Sequence, residues 1–111
     1  MNTAKVHVLV LDDEPGIRAE LCEFLSGREL SVTEAATPSE AFNILMHKPV
    51  DIAIVDIRLP EMNGIEVLRE IRRSYPAVAS IMMSGHGDMD TVIDALRIGA
   101  VDFFRKPFHL Q

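Results

Sequence analysis

Val6-His7-Val8-Leu9-Val10-Leu11-Asp12-Asp13-Glu14-Pro15 is the stretch that decides how this chain folds. Its apolar run, Val6 to Leu11, is rich in β-branched residues and too short for a helix, so it reads as a buried strand. The abrupt switch to Asp12-Asp13 ends that strand. Asp13 or Glu14 can cap a helix ahead of Pro15, whose fixed φ suits a first helical position. Ile17, Leu21, Phe24 and Leu25 then recur at helical spacing, with Gly27 near the end. A buried strand running directly into an amphipathic helix is the opening of a parallel α/β sheet.

The same alternation repeats outward from this stretch. Val32 to Ala36 forms a second, more polar strand, since Ser31, Thr33 and Glu34 suit a sheet edge. Thr37-Pro38-Ser39-Glu40 is a capping-box pattern that opens a helix burying Ala41, Ile44 and Leu45, and Pro49 closes it. Ile52-Ala53-Ile54-Val55 is a third strand, without polar alternation and therefore covered on both faces. A loop from Asp56 to Gly64 leads into a helix carrying Ile65, Leu68 and Ile71, which Pro76 ends. Ala79 to Met83 is a fourth strand, Met89-Val92-Ile93-Leu96 marks the buried stripe of a fourth helix, and Gly99 is its left-handed cap. Val101 to Phe104 is a short fifth strand. The order βαβαβαβαβ demands parallel strands, right-handed crossovers and helices on both sheet faces, a doubly wound α/β fold.

The 111 residues fit one domain, and 48% hydrophobic with 25% charged residues is globular composition. Eleven Lys+Arg against seventeen Asp+Glu give a net charge of -6, which argues against nonspecific attraction to nucleic acid or an anionic bilayer. Cys22 is the only cysteine, which excludes an internal disulfide or a multi-Cys zinc site; on a helix bearing Leu21 and Leu25 it reads as inert packing. No apolar run approaches the roughly 20 residues of a membrane span, and Met1 to Lys5 lacks the apolar stretch of a signal peptide, so the expected location is cytoplasmic. The Met pairs and the Phe residues are core candidates. After Lys106-Pro107 only Phe108 to Gln111 remain, too few for a fifth helix. The expectation is a single domain over residues 1–111 cut before its last helix, or an apolar sheet face covered by something else, which favours self-association.

Ligands of open parallel sheets bind beyond the carboxyl ends of the strands, and that is where the polar residues fall. The first strand ends in Asp12-Asp13, the third in Asp56, the fourth in Ser84 and the fifth in Lys106. Two carboxylates 4 Å apart repel by about 4 kcal/mol at an effective dielectric near 20. Three of them against one ammonium leave a charge deficit that one divalent cation cancels, and all-oxygen donors in an open crevice suit Mg²⁺. A carboxylate beside such a cation and a lysine can accept a phosphoryl group. Each residue alone also has a plainer reading: Asp12, Asp13 and Glu14 as helix N-terminal charges, Asp56 and Lys106 as turn residues, Ser84 as part of a cap, and His86 as a loop residue without a partner ligand. Their co-occurrence separates the readings, because the plainer ones require four coincidences on one side of one sheet.

Val8-Leu9-Val10-Leu11-Asp12-Asp13-Glu14, Asp56-Ile57-Arg58-Leu59-Pro60-Glu61-Met62-Asn63-Gly64, Met83-Ser84-Gly85-His86-Gly87-Asp88 and Phe103-Phe104-Arg105-Lys106-Pro107-Phe108 occur in order and together span nearly the whole chain. With them the chain resembles a receiver (CheY-like) domain of two-component response regulators. The resemblance implies a flavodoxin-like five-stranded sheet of order 2-1-3-4-5. It implies Asp56 as phosphoacceptor from a histidine kinase or phosphotransfer protein. Asp12, Asp13, Asp56 and the Arg58 backbone carbonyl would be Mg²⁺ ligands, and Lys106 would pair with the phosphoryl oxygens. The peptide to Pro107 is expected to be cis, and Arg58 and His86 occupy variable positions linked to phosphoryl lifetime. Ser84 would swing to the phosphoryl group and Phe103, standing where many receivers have Tyr, would turn inward with it. The Ser-Gly-His-Gly-Asp run is most similar to receivers of transcription activators, implying an effector domain outside this chain and no direct nucleic-acid contact by this one.

The domain is thus expected to be no enzyme beyond catalysing its own phosphoryl transfer and loss. Two other readings compete. An interaction receiver that works without phosphorylation does not need Asp13, Asp56, Ser84 and Lys106. A Mg²⁺-dependent phosphohydrolase with an Asp nucleophile places it on the first strand with a second Asp two residues on, whereas here Asp13-Glu14 follows Asp12 directly.

Overall fold

The computed structural model describes residues 5–85 and 88–106. The elements are β1 (His7–Leu11), α1 (Pro15–Ser26), β2 (Ser31–Ala35), α2 (Pro38–His47), β3 (Ile52–Asp56), α3 (Gly64–Ser74), β4 (Ala79–Ser84), α4 (Met89–Ile98) and β5 (Asp102–Arg105). All strand pairs are parallel and the sheet order is β2-β1-β3-β4-β5, as the resemblance implied. The polar strand β2 lies at an edge, where its Glu34 stays exposed.

Alternation along the strands sends side chains to two different cores. Leu9, Leu11, Ala53, Val55 and Met82 meet Ala41 and Leu45 of α2, Val67, Leu68 and Ile71 of α3, and Val92 and Ala95 of α4 in the larger one. Val8, Val10, Ile54 and Met83 meet Leu21 and Cys22 of α1 in the smaller. Burial pushes the Cys22 thiol up to about 11, so it stays protonated at neutral pH, in keeping with a packing role. Ile81 and Phe104, on the α1 face, are half-buried. The expected end of the fold concerns residues 107–111, which lie outside the described residues, as do His86 and the peptide to Pro107.

Local signals hold with three differences. The Thr37 hydroxyl accepts from the Glu40 amide at 3.2 Å, but the Glu40 carboxylate reaches back to Ala36 N (2.6 Å) instead of the capping residue itself. Glu14 occupies the cap position of α1 without a side-chain cap bond, because its carboxylate is drawn to Lys106. The expected buried stripe of α4 is rotated: Val92 and Ala95 are buried, whereas Met89, Ile93 and Leu96 are 41–43% exposed. Small Ala95 lets α4 lie close to the sheet, and the larger side chains flank that contact. Among the other core candidates, the pair Met82 and Met83 is buried. Gly99 takes a φ of 133°, as a left-handed cap requires.

Gly64 begins α3, and its amide donates to Ile57 O at 2.7 Å. A Cβ there would sit 2.2 Å from Asp56 O and 2.7 Å from Ile57 Cα, both backbone atoms that cannot swing aside. Gly64→Ala should therefore destabilise the domain by about 1–3 kcal/mol in urea denaturation. Gly16→Ala, with nothing within 4 Å of the new methyl, should cost no stability. Equal midpoints for the two variants would contradict this packing.

Candidate functional site

The chain leaves β1 toward β2 on one side and returns to β3 on the other, so the crevice between the ends of β1 and β3 is the topological switch point. Asp12 follows β1 and Asp56 ends β3 there; they are 0% and 4% exposed. Asp13, one residue on, faces solvent. Lys106 follows β5, and its amide donates to Ser84 O at 2.7 Å, carrying the ladder one residue past the strand and fixing where the side chain starts.

From that anchor the ammonium crosses the crevice. Lys106 Nζ lies 2.8 Å from Asp56 Oδ2, 2.9 Å from Glu14 Oε1 and 3.0 Å from Asp12 Oδ2. The two carboxylates are oriented by the backbone. Asp12 Oδ1 accepts from Glu14 N at 2.9 Å, and Asp56 Oδ1 accepts from Arg58 N at 3.1 Å. An open cleft of about 260 Å³ lies over them, lined by Asp13, Glu14, Asp56, Arg58, Gly85 and Lys106.

The charge balance of this cluster is incomplete. Burial pushes the Asp56 carboxyl up to about 6, against the hydrogen bonds from Lys106 and the Arg58 amide, and Asp12 adds to the rise. Burial works against the Lys106 ammonium, yet the carboxylates of Asp56, Glu14 and Asp12 around it raise its pKa above the ordinary value. A raised Asp pKa means that the folded chain holds the proton more tightly than the unfolded one. The ionised site therefore costs stability, and that cost grows as the pH rises from about 4 to about 6.

The donor set fits a hard divalent cation. One carboxylate oxygen from each of Asp12, Asp13 and Asp56 lies within 4.8 Å of the others. Asp12 Oδ2 is fully buried with no aligned hydrogen-bond donor, since the directed bonds of Lys106 go to Glu14 and Asp56. A buried anionic oxygen that shares one ammonium with two other carboxylates, in a crevice open to water on the Asp13 side, suits a cation that keeps part of its hydration.

Ser84, the last residue of β4, is buried beside this crevice. In register, Ser84 faces Arg105 and Met82 faces Phe103, so by strand alternation Ser84, Met82 and Phe103 share one sheet face. Phe103 is half-buried there, packed against the larger core.

Two contacts escaped the sequence reading. Arg18 of α1 donates to Asp12 O (2.7 Å) and Glu34 Oε1 (3.0 Å), holding the turn that carries the acidic pair. Asp88, which reads as part of a helix-cap loop, instead accepts from Arg58 Nε (2.9 Å) and Nη2 (2.6 Å) through Oδ1 and from Gly85 N (3.0 Å) through Oδ2. The guanidinium holds the Asp88 carboxyl below the usual carboxylate range. Spacing gave no signal for a pair 30 residues apart.

Residues 8–111 match the family model described as a response regulator receiver domain. An NtrX-like response regulator of Rickettsia bellii is 38% identical over 106 residues, covering 94% of this chain and 22% of that protein. The DNA-binding transcriptional regulator NtrC of Escherichia coli (strain K12) is 35% identical over 104 residues, 94% of this chain and 22% of that one. The chain thus spans under a quarter of the length of these curated relatives. The crystal structure of a response regulator receiver domain protein from Clostridium thermocellum superposes with a TM-score of 0.89 at 33% identity, covering 96% of this chain and 86% of that one. No helix among the described residues is long and apolar enough to cross a membrane. The order of the sheet, the acidic crevice and these similarities agree: the chain belongs to the response regulator receiver domain family.

Proposed function

We propose that the domain takes a phosphoryl group onto Asp56 from the phosphohistidine of a sensor kinase or phosphotransfer protein, and that the resulting charge switches its α4–β5 surface. The observation that carries this reading is Lys106 Nζ set within 3.0 Å of both Asp12 and Asp56 at the floor of an open cleft. Aspartate phosphorylation is the general function of the family, and transcriptional control through an effector domain outside this chain follows the description of NtrC.

In the reaction a carboxylate oxygen of Asp56 bonds to phosphorus while the phosphorus–nitrogen bond of the donor breaks, and the imidazole, already protonated on its other ring nitrogen, keeps the bonding pair and leaves as a neutral base. The Arg58 amide and Lys106 fix the carboxylate, and the ammonium is placed to follow the charge onto the phosphoryl oxygens. Asp12, Asp13, Asp56 and the Arg58 carbonyl would hold Mg²⁺, which neutralises the phosphoryl charge when bound. Water attack on phosphorus later releases phosphate and restores the carboxylate, so the domain catalyses only its own loading and unloading.

The added charge biases a two-state element. The Ser84 hydroxyl bonds the phosphoryl group, and the space it leaves on its sheet face is filled by Phe103 turning inward, which moves α4. A Phe at this position switches by ring packing alone, without a phenolic hydroxyl. The exposed Met89, Ile93, Leu96 and Val101 lie on or beside α4, where a partner or second copy would meet the changed surface.

Asp56→Asn should abolish the single phosphoryl group added by acetyl phosphate and Mg²⁺, read by intact-protein mass; undiminished labelling would refute the assignment. Lys106→Ala should retain Mg²⁺ binding but fail to change conformation with beryllofluoride, a phosphoryl mimic, as read by amide NMR shifts in α4. A full set of shifts in that variant would remove Lys106 from the switch. Mg²⁺ at tenfold over its dissociation constant should stabilise the domain by about 1.4 kcal/mol in thermal unfolding. Asp13→Ala should lose most of that gain, and an unchanged gain would contradict the cation site.

A further inference from the structure

Besides Asp12 and Asp56, the buried carboxylate among the described residues is Asp88. It stands at the cap position of α4, yet its side chain bonds no amide of that helix. Its two oxygens go elsewhere, one to Gly85 N at 3.0 Å and one to both Arg58 Nε at 2.9 Å and Nη2 at 2.6 Å. One carboxylate therefore ties together the residue after Ser84, the loop after Asp56 and the first turn of α4. Arg58 itself borders the cleft with Asp56, and its side chain is 74% exposed, with the guanidinium held by Asp88.

We propose that Asp88 is a positioning residue that withholds the Arg58 guanidinium from the phosphoryl site, and that phosphorylation draws the guanidinium from Asp88 onto the phosphoryl oxygens. This rests on the reading of Asp56 as phosphoacceptor. The physical ground is competition for one cation: a phosphoryl group brings about two negative charges and three acceptor oxygens to the cleft that Arg58 lines, against the single charge of Asp88. Loss of Arg58 leaves Asp88 as a buried carboxylate held by one amide, an expensive state. The relief is for Asp88 to turn toward solvent, which releases Gly85 and the start of α4 together. The exchange thus frees the backbone next to Ser84 in the same event that recruits its hydroxyl.

The test is the rate of labelling by acetyl phosphate with Mg²⁺, followed by intact-protein mass, for the unaltered chain, Asp88→Asn, Arg58→Ala and the double variant. Asn keeps an acceptor for Gly85 N but removes the charge that holds Arg58. Asp88→Asn should label about three- to tenfold faster, the size expected from freeing one charge-assisted contact. That gain should vanish when Arg58→Ala is the background, and Asp88→Glu should restore the slow rate. Arg58→Ala alone, at an exposed side chain, should shorten the half-life of the phosphorylated protein by at least threefold. An unchanged or slower rate in Asp88→Asn, a gain that survives without Arg58, or an unchanged half-life in Arg58→Ala would overturn the proposal while leaving phosphorylation at Asp56 intact. Failure of the unaltered chain to label would overturn the phosphoacceptor reading and this exchange with it.

Discussion

The ammonium of Lys106 between the carboxylates of Asp12 and Asp56 is the contact on which the rest of the structure depends. It joins the ends of three strands, β1, β3 and β5, that are never all neighbours in the sheet. Two buried carboxylates cannot share one crevice unless a cation sits between them, and a buried lysine cannot stay charged without carboxylates. Each side makes the other tolerable. The parallel sheet supplies the geometry, because parallel strands present all their carboxyl ends at one edge.

That contact also explains why the site is open for chemistry. Lys106 is shared among three carboxylates and its directed hydrogen bonds leave out Asp12 Oδ2, while burial raises the Asp56 carboxyl to about 6 in spite of the ammonium beside it. A tighter one-to-one ion pair would be a more stable and more inert arrangement. The incomplete neutralisation leaves acidic oxygens that suit a divalent cation and, on the proposed reading, leaves room beside Lys106 for a phosphoryl group.

The fold was legible because its strands are buried on both faces and therefore read as unbroken apolar runs, as in Val8-Leu9-Val10-Leu11 and Ile52-Ala53-Ile54-Val55. The candidate site was legible at Asp12, Asp56, Ser84 and Lys106, in the sense of where these residues lie, because each polar residue interrupts or follows such a run. What stayed hidden depends on contacts distant in sequence. The capping of α1 gave way because Lys106, 92 residues on, outbids the helix amides for Glu14. The stripe of α4 was misplaced because hydrophobicity alone ranks Ile93 and Leu96 above Ala95, whereas close approach to a sheet favours the smallest side chain. Asp88 carried the signature of a cap, and only the spatial neighbourhood of Arg58 shows that its carboxylate is engaged elsewhere.

The most direct measurement of the central claim is the site of acyl phosphate formation. After treatment with a small phosphodonor and Mg²⁺, borohydride reduction converts a phosphorylated aspartate to homoserine, and peptide mass spectrometry reads which aspartate changed. Conversion at Asp56 alone, and only when Mg²⁺ is present, is the predicted result. Conversion at Asp12 or Asp13, or at no aspartate, would contradict the account.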